Sequence, residues 1–161
     1  MDEDWLQFAD ELTVELSSLQ TVRADIVGAQ SRIGEREPDS FECHAVGSIL
    51  HSFYQGMENI CLLIIKRVDK DKLEGGAWHR DLLDRASKPL LDIRPAIIQP
   101  TTADLMEDYL GFRHVFRNIY GFELDWEKMK PLLNSAVPML ETFSADIEKF
   151  IASLRMKSND L

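Results

Sequence analysis

The sequence predicts an all-α fold, an antiparallel bundle of about five helices, on three observations. Apolar residues recur at spacings of three and four almost throughout. No stretch alternates with the period of two that a half-buried strand requires. Glycine, proline and aspartate divide the chain into helix-length segments. At 161 residues the chain has the size of one domain, and 1–161 reads as a single unit without repeat, low-complexity tract or linker.

The first long helix carries Leu12, Leu16, Leu19, Ile26 and Ile33 on one face and stops at Gly34. Pro38 and Asp39 follow, and Asp39 with Glu42 has the spacing of a capping box. The second helix repeats Val46, Ile49, Leu50, Phe53, Met57, Ile60, Ile64 and Val68. It is apolar around much of its circumference near 60–65, which places it at the centre of the bundle. After Gly75 and Gly76, a third helix is expected from about Trp78 to Leu91, distorted at its end by Pro89.

The segment IRPAIIQP reads as an extended connection, because residues before proline avoid the α region. Thr101 or Thr102 is expected to cap a fourth helix that ends before Gly121. Asp125 is expected to cap the last, with Leu133, Leu140, Phe143, Ile147 and Leu154 turned inward. Pro138 is expected to kink or split it, and the tail from Lys157 to fray.

Composition narrows the function classes. Twenty-eight acids against eighteen bases give a net charge of −10, unlike the broad basic field of a nucleic-acid coat or membrane-surface protein. The longest apolar run, Ile60 to Ile65, is far short of the roughly 20 residues of a membrane span. The acidic start MDEDWLQFADE has no apolar core, so a secretory signal is not expected and the expected location is the cytoplasm. Cys43 and Cys61 have no ligand spacing and read as buried free thiols.

The usual catalytic spacings are missing: there is no phosphate loop, GxSxG, HExxH or DxDxDG, and no histidine follows a glutamate by three. No metal or cofactor is therefore expected. What stands out is YLGFRHVFRNIYGFEL at 109–124, where Arg113, His114 and Arg117 interrupt an aromatic, apolar helix. Tyr109, Arg113, Arg117 and Tyr120 lie four, four and three apart, on one helical face. Two guanidiniums framed by two phenols suit a phosphate or a stacked base. The plainer alternative is that both arginines pair with acids on neighbouring helices. His51 and His79 read as hydrogen-bonded structural histidines and His44 as exposed, while Trp78, His79 and Trp126 anchor helix ends.

This segment resembles the signature of the HEPN superfamily, in particular its HepT-like toxin branch, whose motif runs Arg, a polar residue, further positions, then His-x-Tyr. Arg113 matches the arginine, His114 the polar residue and Tyr120 the tyrosine, while Asn118 stands where the histidine usually is. The stretches LHSFYQGMENI at 50–60, GGAWHRDLL at 75–83 and GFELDW at 121–126 are also similar to this branch, so the resemblance covers about 40–135.

The resemblance implies a HEPN-like helical bundle and a metal-independent endoribonuclease acting on RNA phosphodiesters, the toxin of a HEPN/nucleotidyltransferase toxin–antitoxin module. It implies a homodimer in which the motifs of two protomers form one RNA site. The arginine would hold the scissile phosphate, and the histidine position would move a proton to or from the reacting ribose. The cognate nucleotidyltransferase antitoxin would attach AMP to Tyr120. Arg113, His114 and Asn118 are then the catalytic candidates, and Arg117 and Tyr109 the RNA-binding ones. Asn118 cannot exchange a proton near neutral pH. On an ideal helix His114 points about 100° away from Arg113. A catalytically degenerate HEPN module that binds RNA or protein is the alternative.

Overall fold

The computed structural model describes residues 4–118, 120 and 123–160. Its helices are α1 (Trp5–Gln20), α2 (Val22–Ile33), α3 (Ser40–Ile64), α4 (Trp78–Ala86), α5 (Pro100–Asn118) and α6 (Trp126–Asn159). Among the described residues there is no strand; Leu90 and Arg94 form an isolated bridge. The fold is the all-α bundle the periodicity predicts. Gly121, expected to end the fourth helix, lies outside the described residues.

The single first helix of the sequence reading is two helices. Thr21 separates α1 from α2 while keeping right-handed helical dihedrals, and both its N–H and its hydroxyl turn back to the Ser18 carbonyl. The apolar stripe survives: Leu12, Leu16, Leu19, Ile26 and Ile33 are all buried, and both helices pack on α6. Gly34 ends α2 at φ +57°, a conformation costly for residues with a Cβ.

The Asp39–Glu42 capping box forms, and Arg36 grips the Glu42 carboxylate with both terminal nitrogens. α3 is the central helix, touching α1, α2, α4, α5 and α6. Its fully buried Leu50, Phe53, Tyr54, Met57 and Ile64 explain why its sequence is apolar on so many sides. A π-helical turn, Ile65–Asp69, extends it.

α4 stops at Ala86, earlier than Leu91, because the Ala86 carbonyl takes the N–H groups of Ile97 and Ile98 as the chain returns. The returning segment is not simply extended. Leu90 and Arg94 close a tight turn, and Arg94 anchors it by a bidentate pair with Asp69 (Nε–Oδ1 2.5 Å, Nη2–Oδ2 2.8 Å).

α5 begins at Pro100, where a missing N–H is harmless. Thr101 and Thr102 are therefore inside the helix rather than caps. Asp146 of α6 takes the capping part instead, accepting from the Gln99 N–H at 2.9 Å and the Thr102 hydroxyl at 2.6 Å. Asp125 caps α6 as expected.

Pro138 does not split α6. A proline inside a helix costs about 3 kcal/mol. Met139, Leu140 and Phe143, which follow it into the core, each contribute roughly 1.5–3 kcal/mol by burial, enough to hold the helix together. The far end is also ordered beyond expectation: α6 continues to Asn159, with the Lys157 ammonium 4.7 Å from the Trp5 ring centre and donating to the Ile93 carbonyl. Both cysteines are free thiols, and burial pushes that of Cys61 up to about 12. Among the described residues no helix is long and apolar enough to cross a membrane.

Candidate functional site

The inward stripe of α5 is Thr102, Met106, Tyr109 and Arg113. A guanidinium thus occupies a position that helical spacing sends to the core, between α3 and α4. Arg113 is only 8% exposed. Its Nη1 meets His79 Nε2 of α4 at 3.5 Å, the outer limit of hydrogen bonding. His79 Nδ1 in turn lies 2.7 Å from Glu58 Oε2 of α3, a carboxylate that is 2% exposed. The Trp78 ring stacks on the imidazole with centroids 3.6 Å apart.

Two further groups of α3 complete the cluster. His51, Tyr54 and Glu58 follow one another by three and four and share a helix face. The His51 ring packs against Phe116 at 5.4 Å, and a Cβ on Gly47, one turn earlier, would come within 2.8 Å of that phenyl ring. Burial, then the charges of Arg113 and Arg117, hold the His51 imidazole below its ordinary range and favour its neutral form. Burial first, and then the neighbouring Glu58 charge, push the Tyr54 hydroxyl upward.

Among the described residues, three buried side-chain polar atoms meet no partner in good hydrogen-bonding geometry: Arg113 Nε, His51 Nδ1 and Tyr54 Oη, the last with the Glu58 carboxylate beside it. All three belong to this one cluster. Buried polar groups are normally paired, so this concentration makes the cluster the candidate site of the fold. The other buried arginine serves as an internal comparison. Every N–H of Arg94 is used: Nε and Nη2 on Asp69, Nη1 on the Lys88 and Pro95 carbonyls, and Nη2 also on the Arg85 carbonyl. Arg94 is satisfied by the fold, whereas Arg113 has one long contact to an imidazole. An anion would supply the acceptors that Arg113 lacks.

The residues singled out in the sequence divide between two sides of α5. His114, Arg117 and Asn118 are exposed, as is Tyr120 just beyond the helix. The Asn118 amide donates back to the His114 carbonyl at 2.7 Å. Tyr109 is corrected: it is 2% exposed, and its hydroxyl donates to the Leu132 carbonyl at 2.8 Å, beside Ser135 Oγ at 3.1 Å. Its ring sits edge-on to Phe53 in the core, so it has no face to offer a base.

Glu58 and Tyr54 were not singled out in the sequence, whereas His79, read as a hydrogen-bonded histidine, is one: its Nδ1 meets Glu58 Oε2. The available signal was that three polar side chains at helical spacing mark the most apolar helix of the chain, and that His79 lies in a block of the family resemblance. Among the described residues no group of three or more His, Cys, Asp or Glu side chains converges in a way that could hold a metal ion.

No curated relative and no solved structure is matched. A family model described as HepT-like protein matches residues 45–154, from the first turns of α3 to the last turns of α6, and so spans Glu58, His79 and Arg113. The chain belongs to the HepT-like family.

Proposed function

We propose that this protein is the toxin half of a HEPN/nucleotidyltransferase module and a metal-independent endoribonuclease. The observation that carries the reading is the buried, under-paired guanidinium of Arg113 in a protein of net charge −10. In an acidic body, a guanidinium with no carboxylate in direct contact, Glu58 being held off by the intervening His79, favours one bound anion over general adhesion to polyanions.

Arg113 binds the scissile phosphate and stabilises the charge that develops as the ribose oxygen attacks. A guanidinium in a partly water-excluded setting acts more strongly than one in bulk solvent. Arg117, one turn on and exposed, contacts the neighbouring backbone phosphate. His114 and Asn118, on the solvent side of the same helix, orient the ribose, and a second protomer brings its own motif to form a shared groove. Tyr120, 74% exposed, is accessible to a partner enzyme. Attaching AMP there would place a phosphate beside the arginines and compete with RNA. This reading places the protein in the cytoplasm with RNA and its antitoxin.

One observation favours the alternative, a degenerate HEPN module that binds without cleaving. Asn118 cannot transfer a proton, and its amide is engaged by its own helix. The deciding experiment is cleavage of RNA by the purified protein in EDTA, beside Arg113→Ala and Asn118→His. Cleavage that vanishes in Arg113→Ala, with helicity unchanged, supports the ribonuclease. Cleavage only in Asn118→His makes the protein a binding module, and absence of both binding and cleavage in all three rejects the proposal.

A further inference from the structure

The ribonuclease reading leaves a chemical vacancy. Attack by a ribose 2′-hydroxyl needs an acceptor for its proton, and Asn118 offers none. The structure holds an imidazole against the same arginine from a different helix. Glu58, as a carboxylate, can only accept a hydrogen bond, so at 2.7 Å it calls for the proton of His79 on Nδ1. The lone pair of His79 is then on Nε2, and Nε2 is the atom that faces Arg113. The side chain is 20% exposed, so the ring edge is within reach of solvent, while its Glu58 partner is sealed at 2%. A base oriented by a buried carboxylate, beside an anion-binding guanidinium, is the arrangement that general-base catalysis requires.

Building on the ribonuclease reading, we propose that His79 is the general base of this site and Glu58 its positioning residue, replacing the proton transfer that Asn118 cannot perform. In the resting protein Arg113 occupies Nε2 through a contact of 3.5 Å, long enough to be released readily. A phosphate that takes the guanidinium frees Nε2 beside the ribose. The 2′-hydroxyl proton passes to His79 Nε2 as the O2′–P bond forms and the P–O5′ bond breaks. The departing 5′-oxygen takes a proton from water, leaving a 2′,3′-cyclic phosphate and a 5′-hydroxyl. His79 returns its proton to solvent.

His51 is the competing imidazole and fits less well. Its Nδ1 is buried without a partner and no carboxylate orients it through a hydrogen bond. The groups that contact His79 are Glu58 from α3 and Arg113 from α5, with the Trp78 ring beside it and Arg80 and Asp81 its exposed neighbours on α4.

The experiment compares wild type, His79→Asn, Glu58→Gln and His51→Asn for cleavage of a single-stranded oligoribonucleotide in EDTA across the neutral pH range. Binding of the same RNA is followed by fluorescence anisotropy. Asparagine can place an amide N–H near the site of Nδ1, so His79→Asn keeps a donor for Glu58 and removes only the base. Expected are binding within about twofold of wild type, a rate lower by about 10² to 10⁴, and loss of the rise in rate with pH that a deprotonating base produces. Glu58→Gln should lose less rate and alter the same limb. Cleavage by His79→Asn at the wild-type rate, or loss confined to His51→Asn, overturns the assignment while sparing the ribonuclease reading. Wild-type RNA binding without cleavage overturns the assignment and cleavage together but leaves an RNA-binding module, and absence of binding removes both.

Discussion

Replacing each buried arginine by methionine should give opposite results, because methionine has a similar length and no charge. Arg94 uses all its donors and faces Asp69, whose side chain is 0% exposed. Removing one member of such a pair strands the other and costs about 3–5 kcal/mol. Arg85 Nε lies 3.4 Å from the same Asp69 carboxylate and offsets part of the loss, which favours the lower end, about 3 kcal/mol. A chain of 161 residues shifts by roughly 3 °C per kcal/mol, so Arg94→Met should melt about 9 °C below wild type. Arg113→Met gives up one contact of 3.5 Å and removes a buried charge that the fold leaves under-paired. Such replacements are often neutral or stabilising, so its melting point should stay within about 3 °C of wild type or rise. The assay is thermal unfolding followed by far-UV circular dichroism at neutral pH, alongside RNA binding. Arg113→Met should lose RNA while keeping its stability. A fall in melting temperature matching that of Arg94→Met would show that Arg113 is held by the fold as tightly as Arg94, and the case for an anion site there would collapse.

Two other outcomes follow from the same contacts. Tyr109→Phe removes a hydroxyl that donates to the Leu132 carbonyl; it should cost about 1 kcal/mol in urea unfolding and leave RNA affinity unchanged. An affinity loss as large as that of Arg117→Ala would restore Tyr109 to the RNA surface. The Arg36 hydrogen bond, followed by the Asp39 N–H, lowers the Glu42 carboxyl from 4.5 to about 2. The folded state therefore favours the carboxylate, and this contribution is complete above pH 4.5 and lost as pH falls toward about 2. Acid titration of unfolding should show a shallower slope in that window for Glu42→Gln, and an unchanged slope would rule out Glu42 as a contributor.

Most of the fold was legible because it rests on local rules. The 3.6-residue period, the capping box at Asp39 and Glu42, the stop at Gly34 and the Asp125 cap all act within a few residues. The breadth of apolar character on α3 even announced its central place. The misreadings share a different cause. Thr101 and Thr102 looked like caps, but Asp146, far along the chain, provides the acceptor that starts α5. Pro138 looked like a break, yet core burial on α6 outweighs it. The segment around Arg94 looked extended, and its turn depends on Asp69 at the end of the π-helical turn that follows α3.

The candidate site divides along the same line. Sequence spacing put Tyr109, Arg113 and Arg117 on one face of one helix, and the resemblance to the HEPN motif set Asn118 where a proton-transfer group would be expected. It could not say whether that face met solvent or the core, because periodicity defines a stripe without orienting it. Tertiary packing divided the stripe: it sealed Tyr109 against α6 and buried Arg113 beside His79 and Glu58, and it left Arg117 exposed. These last three residues come from three helices, and no local rule relates positions 58, 79 and 113. Their chemistry is created by contact: a carboxylate meets one nitrogen of an imidazole and a guanidinium the other only when α3, α4 and α5 pack together.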